Sequence, residues 1–358
     1  WFSGKVFNNS WSLIKETNID SVNCDKIKII FITHEHPDHL HWDTLKQIRS
    51  KTKEKIIVIL PKRQNNNVKK AIEKIGFTVL EIPPNKSMTL SKDLCVANFP
   101  SGHDSAYVVK YKNQALLNQN DCKLSREQCR SIKAMFPKID YYFMQFSLAG
   151  YYANIGNHAA LISAKEQHIS MIENYRSLFE PHTTIPFASY VYFCRKENSF
   201  LNDYMVNLGE LDSSYQLVSY MDEILYDNYE QRNLINIGKW NHNINNLKID
   251  ASPFVSEEDI LNNINIFFKS VNYLNSPSVT KFNFYDLDKT LIIDYNNKKA
   301  FFEKSFTKGV AKVTAYDLDC FFKFPWGADT MNITSCFEVY EPVLWKNNLI
   351  FKDSLYKR

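Results

Sequence analysis

The segment Thr33-His34-Glu35-His36-Pro37-Asp38-His39 constrains this chain more than any other. It follows Lys28-Ile29-Ile30-Phe31-Ile32, an apolar run rich in β-branched residues that reads as a buried strand ending at Thr33. In layered α/β folds, ligand sites collect at the carboxyl ends of strands. Burying this many imidazoles and carboxylates with nothing between them would leave several polar groups seeking partners. A metal centre is the simplest resolution.

His34 and His36 alternate along extended backbone, so their rings leave the same side of it and can hold one divalent ion. Asp38 and His39 follow at the turn and can face a second ion. Downstream, His103 in Ser101-Gly102-His103-Asp104-Ser105 offers a further imidazole from a loop before a strand. Asp121 ends Leu117-Asn118-Gln119-Asn120-Asp121 and can bridge both ions. Asp104 reads as a polar loop residue that caps or bonds the backbone. Metal pairs held ~3.5–4 Å apart activate a bridging hydroxide and polarise the bond under attack. Asp38 is then both ligand and catalytic residue, orienting that hydroxide or taking its proton. Neutral imidazole with carboxylate and no thiolate suits zinc first, with iron or manganese as alternatives. His41, His158, His168, His182 and His242 read as surface or core residues.

The remaining chain supplies a scaffold of mixed type. Strands are expected at 56–60, 77–80, 94–97, 106–109, 115–117, 141–146 and 183–187. Helices are expected at 43–50, with Asp43 near the cap, at 68–75, with Gly76 just past the end, and near 125–135 and 164–178. That alternation suggests a layered α/β domain over 1–200. An Asn-, Asp- and Tyr-rich connecting segment, 201–255, follows. Residues 256–358 read as an α+β region, with helices near 257–268 and 316–324 and strands near 282–284, 291–293, 311–313 and 333–340.

Bulk properties narrow the classes. With 43 basic and 39 acidic residues, the net charge of +4 is too balanced for a nucleic-acid binder. The basic stretch from Lys62-Arg63 to Lys69-Lys70 reads as solvated surface. The seven cysteines are dispersed and odd in number, with no Cys-x-x-Cys pair, which points to reduced thiols in a cytoplasm. No apolar run approaches the roughly 18 residues of a membrane helix. The N-terminus shows no signal peptide, and it begins with Trp1 rather than Met, so upstream residues are expected.

The string His34-Glu35-His36-Pro37-Asp38-His39 resembles the signature of the metallo-β-lactamase superfamily. The downstream His and Asp occur in the superfamily's order. The opening Trp1-Phe2-Ser3-Gly4 and Ser10-Trp11 resemble the entry segment of its lactonase-like branch, which includes ascorbate-phosphate lactonases and a phospholipase D of N-acyl-phosphatidylethanolamines. A closer likeness is to the metallo-β-lactamase-like part of the CMP-N-acetylneuraminate hydroxylases. It rests on Thr33–Leu40, Leu117–Cys122, Pro186–Tyr190 and Trp326–Ile333.

The resemblance implies an αββα sandwich with a C-terminal α+β extension. It also implies a metal-dependent hydrolase, in which an activated hydroxide attacks a phosphoester, lactone or amide. His34, His36 and His103 would hold one ion, Asp38 and His39 the other, and Asp121 would bridge. The first alternative is an iron-dependent oxygenase acting on a nucleotide sugar or amino-sugar with an external electron donor. The second is a non-catalytic metal-binding scaffold.

Two departures from the pattern stand out. The late strand reads Ile185-Pro186-Phe187-Ala188-Ser189-Tyr190, without the last His that superfamily hydrolases supply. His182 and Glu197 are candidates to replace it. The second departure is that no Cys-x-His pair signals a Rieske centre. Ser189, Tyr190 and Glu197 are expected to line a pocket for a small-molecule substrate, with phosphorylated compounds and nucleotide sugars among the classes considered. The 146–152 segment should lie near the metal edge. A homo-oligomer is compatible with the sequence.

Overall fold

The computed structural model describes residues 1–211, 215, 245–270, 277–304 and 307–354. The chain opens with β1 (Lys5–Val6) and β2 (Trp11–Leu13), a short antiparallel pair. A parallel unit follows: β3 (Ile29–Phe31), α1 (Trp42–Lys51), β4 (Ile57–Pro61), α2 (Asn67–Ile75) and β5 (Thr78–Ile82), with strand order β3-β4-β5. Strand β4 is buried along nearly its whole length and is apolar throughout, as a central parallel strand should be. Its last residue, Pro61, stops it. Helix α2 ends where Gly76 takes φ 102°, the left-handed conformation that glycine adopts without strain. Helix α1 is capped by His41, whose ring accepts from the Thr44 amide, rather than by Asp43.

Next comes a meander of β6 (Lys86–Ser91), β7 (Leu94–Ser101), β8 (Asp104–Tyr111) and β9 (Gln114–Asn120). Helix α3 (Arg126–Met135) leads to β10 (Tyr141–Gln145), and α4 (His158–Phe179) to β11 (Thr183–Phe187). Both strands are parallel to β9. The sheet order is β11-β10-β9-β8-β7-β6. Pro186 is tolerated in β11 because that strand lies at the sheet edge. Strand β12 (Val191–Phe193) returns to pair with β2.

Three apolar clusters join these layers. Leu45, Ile48 and Ile72 of α1 and α2 pack with Val58 and Val79. Ile132 and Ile172 of α3 and α4 pack with Val108, Leu117 and Tyr142. Ile59 and Ile82 of one sheet meet Val96 and Tyr107 of the other. Helices α1 and α2 thus pack on the sheet of β3 to β5, helices α3 and α4 on the sheet of β6 to β11, and a third cluster draws residues from both sheets.

The C-terminal region has its own core. Helix α5 (Glu257–Ser270) precedes β13 (Val279–Phe284), β14 (Thr290–Asp294), β15 (Lys299–Glu303) and β16 (Ala311–Val313). Helices α6 (Ala315–Lys323) and α7 (Gly327–Thr334), strand β17 (Phe337–Val339) and helix α8 (Pro342–Ser354) complete it. Its sheet runs β15-β14-β13-β16-β17, and its interior is rich in phenylalanine. The strand expected over 333–340 is mostly not one. Helix α7 runs to Thr334, Ser335 turns the chain at φ 57°, and only Phe337–Val339 pairs.

The segment expected to connect the two parts falls largely outside the described residues. Of its described members, Leu201 and Met205 pack with Trp11 and Phe193, and Leu208 and Tyr215 pack with the α4 layer. His242 also lies outside the described residues. All seven cysteines are free thiols. Among the described residues, no helix is long and apolar enough to cross a membrane.

Candidate metal centre

Beyond β3 the chain leaves the sheet edge through Ile32 and Thr33, both buried, and delivers His34 with only 3% exposure. The amides of His39 and Leu40 both donate to the His36 carbonyl, at 2.9 and 2.7 Å, folding the chain back on itself. Leu40 anchors that turn in the α1–α2 core. The fold-back is why four side chains close in sequence converge.

Thr33 organises two of the rings. Its Oγ1 lies 3.1 Å from His34 Nδ1 and 3.2 Å from His39 Nδ1. One hydroxyl oxygen can accept from both N–H groups; in the neutral rings, the ligand form, this would leave the two Nε2 lone pairs pointing inward. His34 Nε2 stands 2.9 Å from His36 Nδ1, 3.6 Å from Asp121 Oδ2 and 3.8 Å from Asp104 Oδ1. His39 Nε2 stands 3.3 Å from Asp38 Oδ2 and 3.5 Å from Asp121 Oδ1. The two oxygens of Asp121 therefore face different histidines. His36 Nε2 points the other way, 2.9 Å from Asp329 Oδ2 on α7.

Ligand atoms of His34, His36, Asp104 and Asp121 all fall within 4.8 Å of one another. Asp38 and His39 adjoin this group through Asp121. His103 does not join it. The residue is exposed, and its backbone carbonyl accepts from Arg63. The cause is strand geometry. The antiparallel register that sets Tyr107 opposite Asn118 brings the start of β8 beside the end of β9. Successive residues there face opposite ways, so Asp104 reaches inward and His103 does not. The inward imidazole expected at His103 is thus replaced by the carboxylate of Asp104, which does more than the backbone-bonding role expected of it.

The cluster fits a cation. Asp38 Oδ1 and Asp121 Oδ1 are buried without a hydrogen-bond partner among the described residues, an arrangement costly for carboxylates unless something else is to be bound. Burial, reinforced by its cationic neighbours His39 and His36, pushes His34 down to about 2, so its ring is neutral, the ligand form. Burial opposes charge on His39, but Asp38 and Asp121 outweigh it and raise that ring to about 9. Burial likewise opposes ionisation of Asp38, yet the His39 imidazolium holds its carboxyl down at about 2. Asp104 and Asp121 are raised, chiefly by burial.

The other expected site residues have definite places. Ser189 is buried, and its Oγ accepts from the Phe146 and Ser147 amides at 3.1 Å each, tying the ends of β10 and β11 together. Tyr190 lines a cleft of about 490 Å³ beside the centre, with Asp38 and His39 on one side and Phe31, Phe143 and Phe187 among its walls. Glu197 accepts from Ser252 at 2.8 Å and lies 3.7 Å from Arg195, within a different cluster. His182 is exposed at the opposite end of β11 from Ala188 and Ser189. In the 146–152 segment, Phe146 and Leu148 are buried in the core, while Tyr151 stacks on Phe337 of the C-terminal region, ring centroids 4.6 Å apart. Asp329 lies within the Trp326–Ile333 stretch that carries part of the resemblance, but its own residue type and spacing do not mark it as a site residue.

No family model matches this sequence, and no curated protein matches it. Among solved structures it is similar to the metallo-beta-lactamase fold protein YhfI from Bacillus subtilis. The identity is 10%, over 67% of this chain and 81% of that one, with a TM-score of 0.30. At that score the likeness carries no functional argument.

Proposed function

We propose that this chain is a metal-dependent hydrolase of the metallo-β-lactamase type, acting on an uncharged lactone, ester or amide. One observation carries the reading: Asp121 presents one oxygen to His34 and the other to His39, while the second oxygen and Asp38 Oδ1 remain unsatisfied. Asp121 would thus help to hold metal together with His34 and His39, one oxygen toward each. The layer order, helices outside two sheets that share a core, supports an αββα sandwich. So does the site's position at one end of β3, β8 and β9.

Divalent cations bound by such a cluster acidify water and polarise the bond under attack. Asp38 is held ionised by His39, so Oδ1 can orient the attacking water and take its proton. Asn118 and Asn120 line the cleft with buried Oδ1 atoms that have no partner among the described residues, suited to an N–H or O–H of the substrate. Asn120 is fixed by its own Nδ2, which donates to the Ser105 carbonyl at 2.9 Å. The cleft walls are aromatic and aliphatic, and none of the lining residues is Lys or Arg. Among the described lining residues a phosphoester or nucleotide sugar would find no Lys or Arg to pair with, and His39 is already engaged by Asp38 and Asp121, which is why the proposal favours an uncharged substrate.

A second reading follows from the exchange of His103 for Asp104. Two imidazoles with carboxylates form the donor set that suits Fe(II) or manganese better than a three-histidine set does. An iron-dependent oxygenase fed by an external electron donor is compatible with it.

The two readings separate on one assay set. The metal-loaded chain is offered aryl esters, lactones, anilides and phosphodiesters, with and without oxygen. The hydrolase reading expects oxygen-independent cleavage of the uncharged esters, lactones or amides, reduced at least ~100-fold in Asp38→Asn. No cleavage of any compound by the loaded protein would sink it, and oxygen-dependent turnover with iron would establish the second.

A further inference from the structure

We infer that Asp329 is a positioning residue of the metal centre, holding His36 in its metal-binding orientation, so that the C-terminal region completes the site. The inference rests on the metal-centre reading above. A carboxylate can only accept from an imidazole nitrogen. The 2.9 Å contact between Asp329 Oδ2 and His36 Nε2 is therefore an Nε2–H donating to the carboxylate. In the neutral ring the lone pair then sits on Nδ1, the atom 2.9 Å from His34 Nε2 that faces the converging ligands. Ligating histidines commonly donate their outward N–H to such a carboxylate, which fixes the tautomer and raises ligand basicity.

The division of labour among the rings makes Asp329 specific. Thr33 serves the outward nitrogens of His34 and His39 from within the same segment. His36 turns its outward nitrogen away from Thr33 and meets a residue 293 positions later. Phe7 packs edge-on against the same ring, centroids 6.0 Å apart, limiting its rotation.

The helix bearing Asp329 is placed firmly. Gly327 starts it where a Cβ would stand 2.4 Å from the Phe321 carbonyl oxygen, so only glycine fits this approach. Asn198 Nδ2 donates to the Thr334 carbonyl at 2.8 Å, and the Tyr151 amide to the Asn332 carbonyl at 3.3 Å. The metal-bearing part thus grips the far end of α7. The Asp329 side chain is 57% exposed, so an exposed ion pair is a poor explanation of its placement as a stability device.

The test uses the full chain, Zn²⁺ as the probe, and a competing chromophoric chelator to read affinity. Asp329→Ala should weaken the tightest site by about 10–100-fold. Asp329→Asn should weaken it less, because the amide oxygen still accepts, and Asp329→Glu should restore most of it. The chelated variants should unfold at the same urea concentration as the chelated parent. Nitrogen-15 NMR of the parent should show His36 protonated at Nε2, with that preference lost in Asp329→Ala. Zn²⁺ affinity and His36 tautomer both unchanged in Asp329→Ala would overturn the inference while leaving the centre standing. Failure of the parent itself to bind Zn²⁺ would overturn the centre and, with it, this inference. Should Asp329→Ala not fold, the near-isosteric Asp329→Asn decides by the same two readouts.

Discussion

Two buried clusters of charge sit in this molecule, and they are built on opposite principles. Around Arg195, 1% exposed, every guanidinium nitrogen is engaged. Nη1 meets Asp317 at 2.8 Å, Nη2 donates to Thr314 at 3.0 Å and also to Ser252, and Nε donates to Ser252 at 3.1 Å. Asp317 also accepts from Thr314 at 2.6 Å and Asn8 at 3.2 Å. Around His34, by contrast, Asp38 Oδ1 and Asp121 Oδ1 have no hydrogen-bond partner among the described residues, and two imidazole nitrogens face each other at 2.9 Å. A buried polar group costs stability unless it is satisfied. The Arg195 cluster is complete as it stands and joins the two parts of the chain. The His34 cluster is complete only with something added. Incompleteness, not burial or charge, sets the proposed binding site apart from a structural ion pair here.

The largest effect expected breaks the complete cluster. Asp317→Ala leaves the Arg195 guanidinium buried without its carboxylate and should cost about 3–5 kcal/mol in urea unfolding. In the chelated protein, Asp121→Asn should cost far less or even stabilise, since it removes an unsatisfied buried charge. A large loss there would mean that the His34 cluster is also structural.

Metal addition sharpens the same contrast. Zn²⁺ at one hundred times its Kd should stabilise the parent by about 2.7 kcal/mol, and chelation should reverse the gain. His34→Ala should abolish the gain, whereas a conservative Arg195→Lys should keep it.

A third buried charge gives a pH test. Lys352, fully buried, places Nζ 3.3 Å from the Phe322 carbonyl oxygen and 4.7 Å from the Phe267 ring centroid. Burial lowers it from 10.5 to about 7. Below pH 7 it is charged in both states and the burial cost is fully present. Between pH 7 and 10.5 the unfolded chain binds more protons, so stability should rise with pH by up to ~1.4 kcal/mol per unit from this group. Lys352→Met should remove that slope and stabilise the protein at neutral pH, as read from urea midpoints at several pH values.

The smallest effect serves as a control remote from both clusters. Ser125 and Gln128 form a capping box at α3, and Ser125→Ala should cost about 1 kcal/mol with no change in metal uptake.

The convergence of His34, His36, Asp38 and His39 was legible because its signal is local: an apolar strand, then four His and Asp residues within six positions. Asp121 was legible for the same reason, at the end of a strand. The choice between His103 and Asp104 was not, because it depends on which residue of a tight β-turn first faces the sheet interior, a matter of register rather than composition. The contact of Asp329 with His36 was not legible, although Trp326–Ile333 carries part of the resemblance, because it arises only from docking of the C-terminal region. Elements with strong periodicity, such as α2 with Gly76 behind it, were bounded well. Helix α4 begins at His158 instead of Ala164 because Asn157 caps it, accepting from the Ala160 amide at 3.3 Å. A weak hydrophobic stripe at its start hid that cap.

Elemental analysis of the folded chain and of Asp121→Asn, each chelated and then dialysed against Zn²⁺, Mn²⁺ or Fe²⁺, tests the central claim most directly. The account predicts at least one tightly held equivalent of one of these metals per parent chain, and loss of it in Asp121→Asn. A folded parent that retains none of the three, or an Asp121→Asn variant that retains as much as the parent, would contradict it.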